Sequence, residues 1–302
     1  MPKVWGFKSR KNPEYGYMSV WNDLVTVRIK ADQPLHPTEA EFYDVSLGHQ
    51  CNMSCPFCYT NAGPQGKPYE NVVRKIEMLM NRLWNDSNKR PYQVAIGSEG
   101  EPTIHPEFLD VLRVFYEHGV VPNYTTNGRI FSDPDWSTVK ALLNTTNEYC
   151  GGVAVSANPT NMYWEHAFDQ LTTWTSARVN LHLICFDVES VEYIRRQMEK
   201  YDGKAWTFVI LPLIANGRSS LCMTNEAYIE LTKVIRNQQL HGKTQVAVGA
   251  RMHPWLTDPK LPYIPHISVH DPEKFSKNLI LDDPVRITPS SFDTKTILWS
   301  VY

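Results

Sequence analysis

Strand-like and helix-like runs take turns along most of this chain, and that rhythm limits the fold more than any other feature. Phe42 to Leu47 reads as a strand. Val72, Val73, Ile76, Leu79, Met80 and Leu83 then mark one face of a helix between Tyr69 and Trp84. The pattern repeats: strand Gln93–Ile96 and helix Pro106–His118, strand Val120–Thr125 and helix Asp135–Leu143, strand Val153–Val155 and helix Asn161–Thr175. It continues with strand Val179–Phe186 and helix Glu189–Tyr201, then strand Trp206–Ile214 and helix Asn225–Gln238, with a further strand at Thr244–Val248. Pro106 suits a first helical turn and Gly119 a helix stop. Such alternation means βα units around a parallel sheet. Two architectures satisfy it: a complete or partial βα barrel, and an open doubly wound sheet. In both, function belongs in the loops that follow the carboxyl ends of the strands.

Two flanks depart from the rhythm. Residues 1–40 form an N-terminal extension with a hairpin expected from Tyr17–Trp21 and Leu24–Ile29 around Asn22-Asp23. Residues 251–302 are rich in proline and aromatics, show no clear period, and are expected to wrap or cap a core spanning 41–250. The formal net charge of -2 provides no global field to draw in a nucleic-acid polymer or an anionic membrane. The longest apolar run, Phe208 to Ala215, contains Pro212 and is too short to cross a bilayer. The first residues lack the apolar stretch of a signal peptide. A cytoplasmic location is the expectation.

Chemistry concentrates in the loop after the first core strand. Cys51, Cys55 and Cys58 form a C-x3-C-x2-C pattern, whereas Cys150, Cys185 and Cys222 are scattered. Clustered thiols in a chain that needs no disulfides point to metal. A 4Fe-4S cluster normally takes four thiolates, so three local ones leave one iron open for chemistry. Zinc is the other reading: His49 stands two residues before Cys51 and offers a fourth ligand, although no second cysteine pair completes the usual zinc spacing. That reading makes the chain a zinc-stabilised, non-catalytic binding module.

At these residues the sequence resembles the radical SAM superfamily, whose defining motif is C-x3-C-x2-C followed by an aromatic, here Tyr59. The likeness extends over roughly residues 41 to 218. Gly100-Glu101-Pro102-Thr103 looks like the family's Gly-Gly-Glu-Pro segment, and Tyr124-Thr125-Thr126-Asn127-Gly128 like its Thr-Asn-Gly segment. Ser156 matches a polar position at the end of the fourth strand. Glu99 departs from the pattern, standing where the family usually has a first glycine.

The resemblance implies an α/β fold, a partial (βα)6-type TIM-like barrel with short N- and C-terminal extensions. It also implies that Cys51, Cys55 and Cys58 hold a 4Fe-4S cluster whose open iron chelates S-adenosylmethionine. Reductive cleavage then yields a 5′-deoxyadenosyl radical that abstracts hydrogen from a substrate, chemistry that the cofactor carries and the protein orients. Within that picture, backbone carbonyls at Gly100 and Pro102, supported by Glu101, receive the cofactor ammonium; each is equally at home in a plain tight turn. Asn127 is a candidate for the ribose hydroxyls and Ser156 for the ribose or carboxylate, although both also suit ordinary turns. Tyr59 either packs structurally or stands beside adenine. Arg218 either pairs with a carboxylate of cofactor or substrate or is an exposed loop residue. His182, inside a strand, reads as a satisfied interior histidine.

The few downstream cysteines argue against an auxiliary cluster. The substrate stays open among peptide, nucleotide and small molecule, with a glycyl-radical-activase-like role as one variant. An external low-potential electron donor of flavodoxin or ferredoxin type is implied, and neither membrane nor nucleic acid is expected as a partner.

Overall fold

A computed structural model describes residues 6–12, 17–22, 26–29, 39–86, 89–265, 267, 276–290 and 293–301. Its centre is a run of seven parallel strands in chain order: β4 Phe42–Ser46, β5 Gln93–Ile96, β6 Val121–Thr126, β7 Gly152–Ser156, β8 Arg178–Cys185, β9 Thr207–Pro212 and β10 Gln245–Val248. Each lies beside its predecessor, so every crossover steps the same way and no switch point arises. That order excludes the doubly wound alternative and leaves the barrel. Among the described residues no ladder joins β10 to the other edge, so the barrel is partial.

The helices α1 Val72–Arg82, α2 Phe108–Glu117, α3 Trp136–Tyr149, α4 Trp164–Trp174, α5 Val188–Tyr201 and α6 Asn225–His241 follow strands β4 to β9 in turn. Along β8, buried and half-buried residues alternate without a break. The buried set, with Leu181 and Leu183, joins Val45, Ile96, Tyr124, Val155 and Ile210 in one core against the helices. The other set lines a lumen. Parallel strands covered on both faces read as continuous apolar runs, so the alternation marks a hollow interior on the second face.

Several helix boundaries differ from the sequence reading, α4 starting at Trp164 and α6 ending at His241 among them, and three of the differences have a clear physical reason. Helix α1 starts at Val72, not Tyr69, because the Tyr69 N–H donates to Leu47 O at 2.8 Å. The first N–H groups of α1, Val72 and Val73, donate to the carboxylate of Glu107 at 3.2 and 3.1 Å. Helix α2 begins after that engaged residue, at Phe108, rather than at Pro106. Helix α3 runs past Leu143 to Tyr149 because Thr146 is fully buried with its hydroxyl 2.9 Å from Tyr124 OH. Burial there overrides the weak helix propensity of threonine.

Of the expected hairpin, Tyr17–Trp21 (β2) pairs antiparallel with Thr26–Ile29 (β3), while Asp23 and Leu24 lie outside the described residues. A preceding strand, β1 Lys8–Asn12, makes it a three-stranded sheet. Trp21 stacks on Tyr92, at the entry to β5, with ring centroids 3.9 Å apart. The C-terminal segment contributes a short α7, His253–Thr257, and three strands: β11 Ser276–Ile280, β12 Val285–Thr288 and β13 Trp299–Val301. Strand β11 pairs in parallel with β4, while β12 and β13 continue antiparallel, so the sheet reaches ten strands.

Adjacent residues on β8 test the two-faced assignment. Leu183→Ala, on the filled side, is expected to lower stability by about 2–5 kcal/mol. Ile184→Ala, on the hollow side, is expected to cost about 1 kcal/mol, because it opens little new cavity. Urea denaturation midpoints of the two purified variants check this, and equal losses would contradict a lumen.

Candidate functional site

A cavity of about 760 Å³ occupies the lumen and its upper mouth, in the upper part of the roughly 300–1,000 Å³ range usual for ligand sites. It lies at the carboxyl ends of the strands, and Cys51, Cys55 and Cys58 all line it, as do Tyr59, Gly100, Glu101, Asn127 and Ser156. The three cysteines are free and half-buried.

The cysteine loop is held mainly by backbone contacts. Cys51 N donates to Gly63 O at 3.0 Å, and His49 N to Lys67 O at 3.0 Å. The Gly100 turn packs underneath. Gly100 has φ +68, and a Cβ there would fall 2.5 Å from the carbonyl oxygens of Gly48 and Gln50. The next N–H, that of Glu101, donates to Gln50 O at 2.8 Å.

Glu101 ties this turn to the next strand. Its Oε1 accepts Thr103 Oγ1 at 2.6 Å and Thr126 Oγ1 at 2.8 Å, and its Oε2 accepts Asn127 N at 2.7 Å. Burial raises the pKa of this carboxyl, while the donors from Asn127, Thr103 and Thr126 oppose the shift. The carboxylate oxygens are therefore engaged in supporting the turn. Asn127 reaches the cysteine loop: its Nδ2 lies 2.8 Å from Asn52 Oδ1 and 3.7 Å from Cys51 Sγ. Tyr59 OH donates to Ser98 O at 2.6 Å, so its ring is anchored against the end of β5.

Arg218 is not an exposed loop arginine: its guanidinium turns onto the cysteine loop. Its Nε donates to Cys55 O at 2.9 Å, its Nη2 to Ala62 O at 2.7 Å, and its backbone N–H to Cys58 O at 2.9 Å. The preceding Gly217, at φ +59, leaves no room for a Cβ against Cys58 O and Tyr59 O, and Asn216 Nδ2 donates to Tyr59 O at 3.0 Å. Residues 216–218 thus lace the cysteine loop to the end of β9. Ser156 offers its carbonyl to Asn161 Nδ2 at 2.8 Å, and the same Nδ2 lies 2.8 Å from Asn127 O. Asn161 joins the ends of β6 and β7, a role sequence reading missed because asparagine is ordinary in turns.

The donor set suits an iron–sulfur cluster. His49, which a zinc site needs, faces Glu99 instead, its Nε2 3.7 Å from the carboxylate and 3.3 Å from Tyr69 OH. Glu99 also accepts Ser46 Oγ at 2.6 Å, so the departure from the glycine pattern is built into a local polar cluster. Burial pushes Cys51 up to about 11, and burial likewise raises Cys55, so metal loading must displace thiol protons. Cys185 is buried in the core, and Cys222 accepts an N–H from Ala215 at 3.2 Å, leaving the triplet without a fourth thiol from these two.

The profile of the radical SAM superfamily matches residues 45–202, just over half of the chain. The chain belongs to the radical SAM superfamily. That superfamily uses a 4Fe-4S cluster and S-adenosylmethionine. Among similar proteins is the 7,8-dihydro-6-hydroxymethylpterin dimethyltransferase of Methanocaldococcus jannaschii, 27% identical over 96 residues that cover 32% of this chain and 19% of that one. The match therefore spans under a fifth of that relative's length. In fold, the chain is similar to Streptococcus suis SuiB bound to S-adenosylmethionine, with TM-score 0.64, 13% identity, and coverage of 87% of this chain and 63% of that one. A radical SAM methyltransferase from Sphaerobacter thermophilus gives TM-score 0.50 and 14% identity, covering 82% and 77%. No helix among the described residues is long and apolar enough to cross a membrane.

The lacing by Arg218 leads to a specific expectation. Arg218→Gln removes two donors to loop carbonyls and should lower iron retention after reconstitution about 10-fold or more, the range for residues that orient metal ligands. Iron per chain after gel filtration measures it; unchanged iron would show that the loop holds without the guanidinium.

Proposed function

We propose that Cys51, Cys55 and Cys58 hold a 4Fe-4S cluster at the mouth of the barrel, and that S-adenosylmethionine binds beside it in the lumen. The observation that carries this reading is the convergence of three free cysteines from one loop on a large cavity at the strand ends. When bound, the reduced cluster and S-adenosylmethionine supply a 5′-deoxyadenosyl radical that removes a hydrogen atom from the substrate.

The chain's residues set the conditions for that chemistry. Arg218, Asn216 and Gly217 fix the loop carbonyls and so the directions of the thiolates. The Asn127 amide beside Cys51 Sγ supplies the kind of N–H contact that tunes cluster potential. The carbonyl groups of the Gly100–Pro102 turn, held by Glu101, accept the cofactor ammonium. Ser156 faces the ribose or carboxylate, and Tyr59 walls the adenine side. Met53, Phe57, Ile184, Leu211, Leu213 and Val248 line the same cavity and exclude water from a reactive site. Residues 41–250 form the catalytic core, with 1–40 and 251–302 as extensions. The electron comes from an external low-potential donor of flavodoxin or ferredoxin type. The substrate is a small molecule, nucleotide or peptide; SuiB has been crystallised bound to a precursor peptide on the same type of fold.

Anaerobic reconstitution tests the assignment. The wild-type chain should carry iron and acid-labile sulfide and form 5′-deoxyadenosine with dithionite and S-adenosylmethionine. Cys51→Ala, Cys55→Ala and Cys58→Ala should each lose the brown chromophore and the product. Stoichiometric zinc with no iron, or a fully loaded protein that forms no 5′-deoxyadenosine, would refute the reading.

A further inference from the structure

Two titratable side chains in the lumen have no role in holding the cysteine loop. Asp44 on β4 and His182 on β8 both line the cavity. Neither has a hydrogen-bond or ion-pair partner among the described residues, which sets them apart from Glu99 and Glu101, each with several. One neighbouring amide is engaged elsewhere. The register partner of Asp44 across the β4–β11 ladder is Asn278, whose Nδ2 donates to Thr288 Oγ1 at 3.2 Å while its Oδ1 stays unpartnered. Arg251, at the rim, donates to Ser290 Oγ at 3.3 Å. His182 sits level with Ser156 across the β7–β8 ladder, so a second polar point borders the site proposed for the cofactor.

A carboxylate facing this space with no donor is costly, and it takes up a proton unless something supplies a donor or a cation. Phe42, Ala95, Ile184, Leu211 and Val248, which line the same cavity, supply neither. We propose that Asp44 and His182 form the substrate subsite of this lumen, and that it takes a molecule with an apolar body and a protonated primary amine, the ammonium bonding to Asp44. An ammonium fits the requirement better than a hydroxyl, because it brings both charge and up to three donors. Burial pushes Asp44 up to about 7 and holds His182 down at about 4. The imidazole is therefore neutral near pH 7, does not repel a cation, and remains free to bond a second polar group of the ligand.

The inference rests on the proposed placement of substrate in the lumen, but its test is separate from that of the cluster. Isothermal titration of 2-phenylethylamine, 2-phenylethanol and 3-phenylpropionate is run on the full chain, as isolated and after anaerobic reconstitution with S-adenosylmethionine. The amine should bind most tightly and the carboxylate least. Asp44→Asn should weaken the amine about tenfold or more, as expected when one partner of a buried charge pair is removed, while changing the alcohol little. His182→Gln should weaken the amine less than Asp44→Asn does. Circular dichroism melting confirms that each variant is folded; if Asp44→Asn is not, the ranking of the three probes on the wild-type chain still decides. Equal affinity for the three probes, no binding of the amine, or full retention of the amine by a folded Asp44→Asn would overturn the proposal. Iron content decides the cluster reading independently, so either can fail alone.

Discussion

The site depends on one buried carboxylate. Glu101 closes the first turn after β5, accepts both the hydroxyl and the N–H of Thr103, and receives the hydroxyl of Thr126 and the N–H of Asn127 from the end of β6. Two strand ends are thereby locked at a fixed separation. The cysteine loop then rests on that platform through the approach of Gly100 to the carbonyls of Gly48 and Gln50. A buried carboxylate with this many donors is costly to disturb, since losing it leaves several polar groups unsatisfied together. The adjoining polar cluster of Ser46, Tyr69, His49 and Glu99 braces the same turn from the opposite side.

A second brace comes from the far side of the barrel. The β9–α6 connection reaches across to the cysteine loop and bonds carbonyls on either side of Cys58. Loops as polar as 49–63 have little apolar area with which to hold a shape, so hydrogen bonds from two rigid elements take over that task. An arginine is suited to it because its fork addresses two carbonyls at once.

Much of this was legible in the sequence, and the failures have physical causes. The order of strands and helices could be read because each element carries its own period, as in Leu181 and Leu183 or Ile76, Leu79 and Met80. The barrel followed from resemblance and not from periodicity, since alternation alone also permits a doubly wound sheet. Starts of α1 and α2 were hidden because Glu107 caps one helix while preceding the other. Strands β11 to β13 were hidden because short segments set among prolines gain strand character only by pairing with β4 and with one another. In the site, the cysteine triplet and the Gly100-Glu101-Pro102 turn stand out because each is contiguous. Arg218 was noticed, but its partners are backbone carbonyls, which no side-chain pattern reports. His182 was read as satisfied, whereas its side chain has no hydrogen-bond partner among the described residues. Asp44 went unremarked although its setting held a clue: a carboxylate between Tyr43 and Val45, on the face of a parallel strand turned away from the helices.

The pairing of β4 with β11 also bears on how the molecule is assembled. The strand that leads into the cysteine loop is the earliest of the core to leave the ribosome, yet one of its two neighbours comes from the opposite end of the polypeptide. Until that late segment arrives, β4 presents a bare edge beside three reactive thiols, a combination open to mispairing and oxidation. The seam beside the cysteine loop is thus closed by the part of the core sheet that is synthesised last.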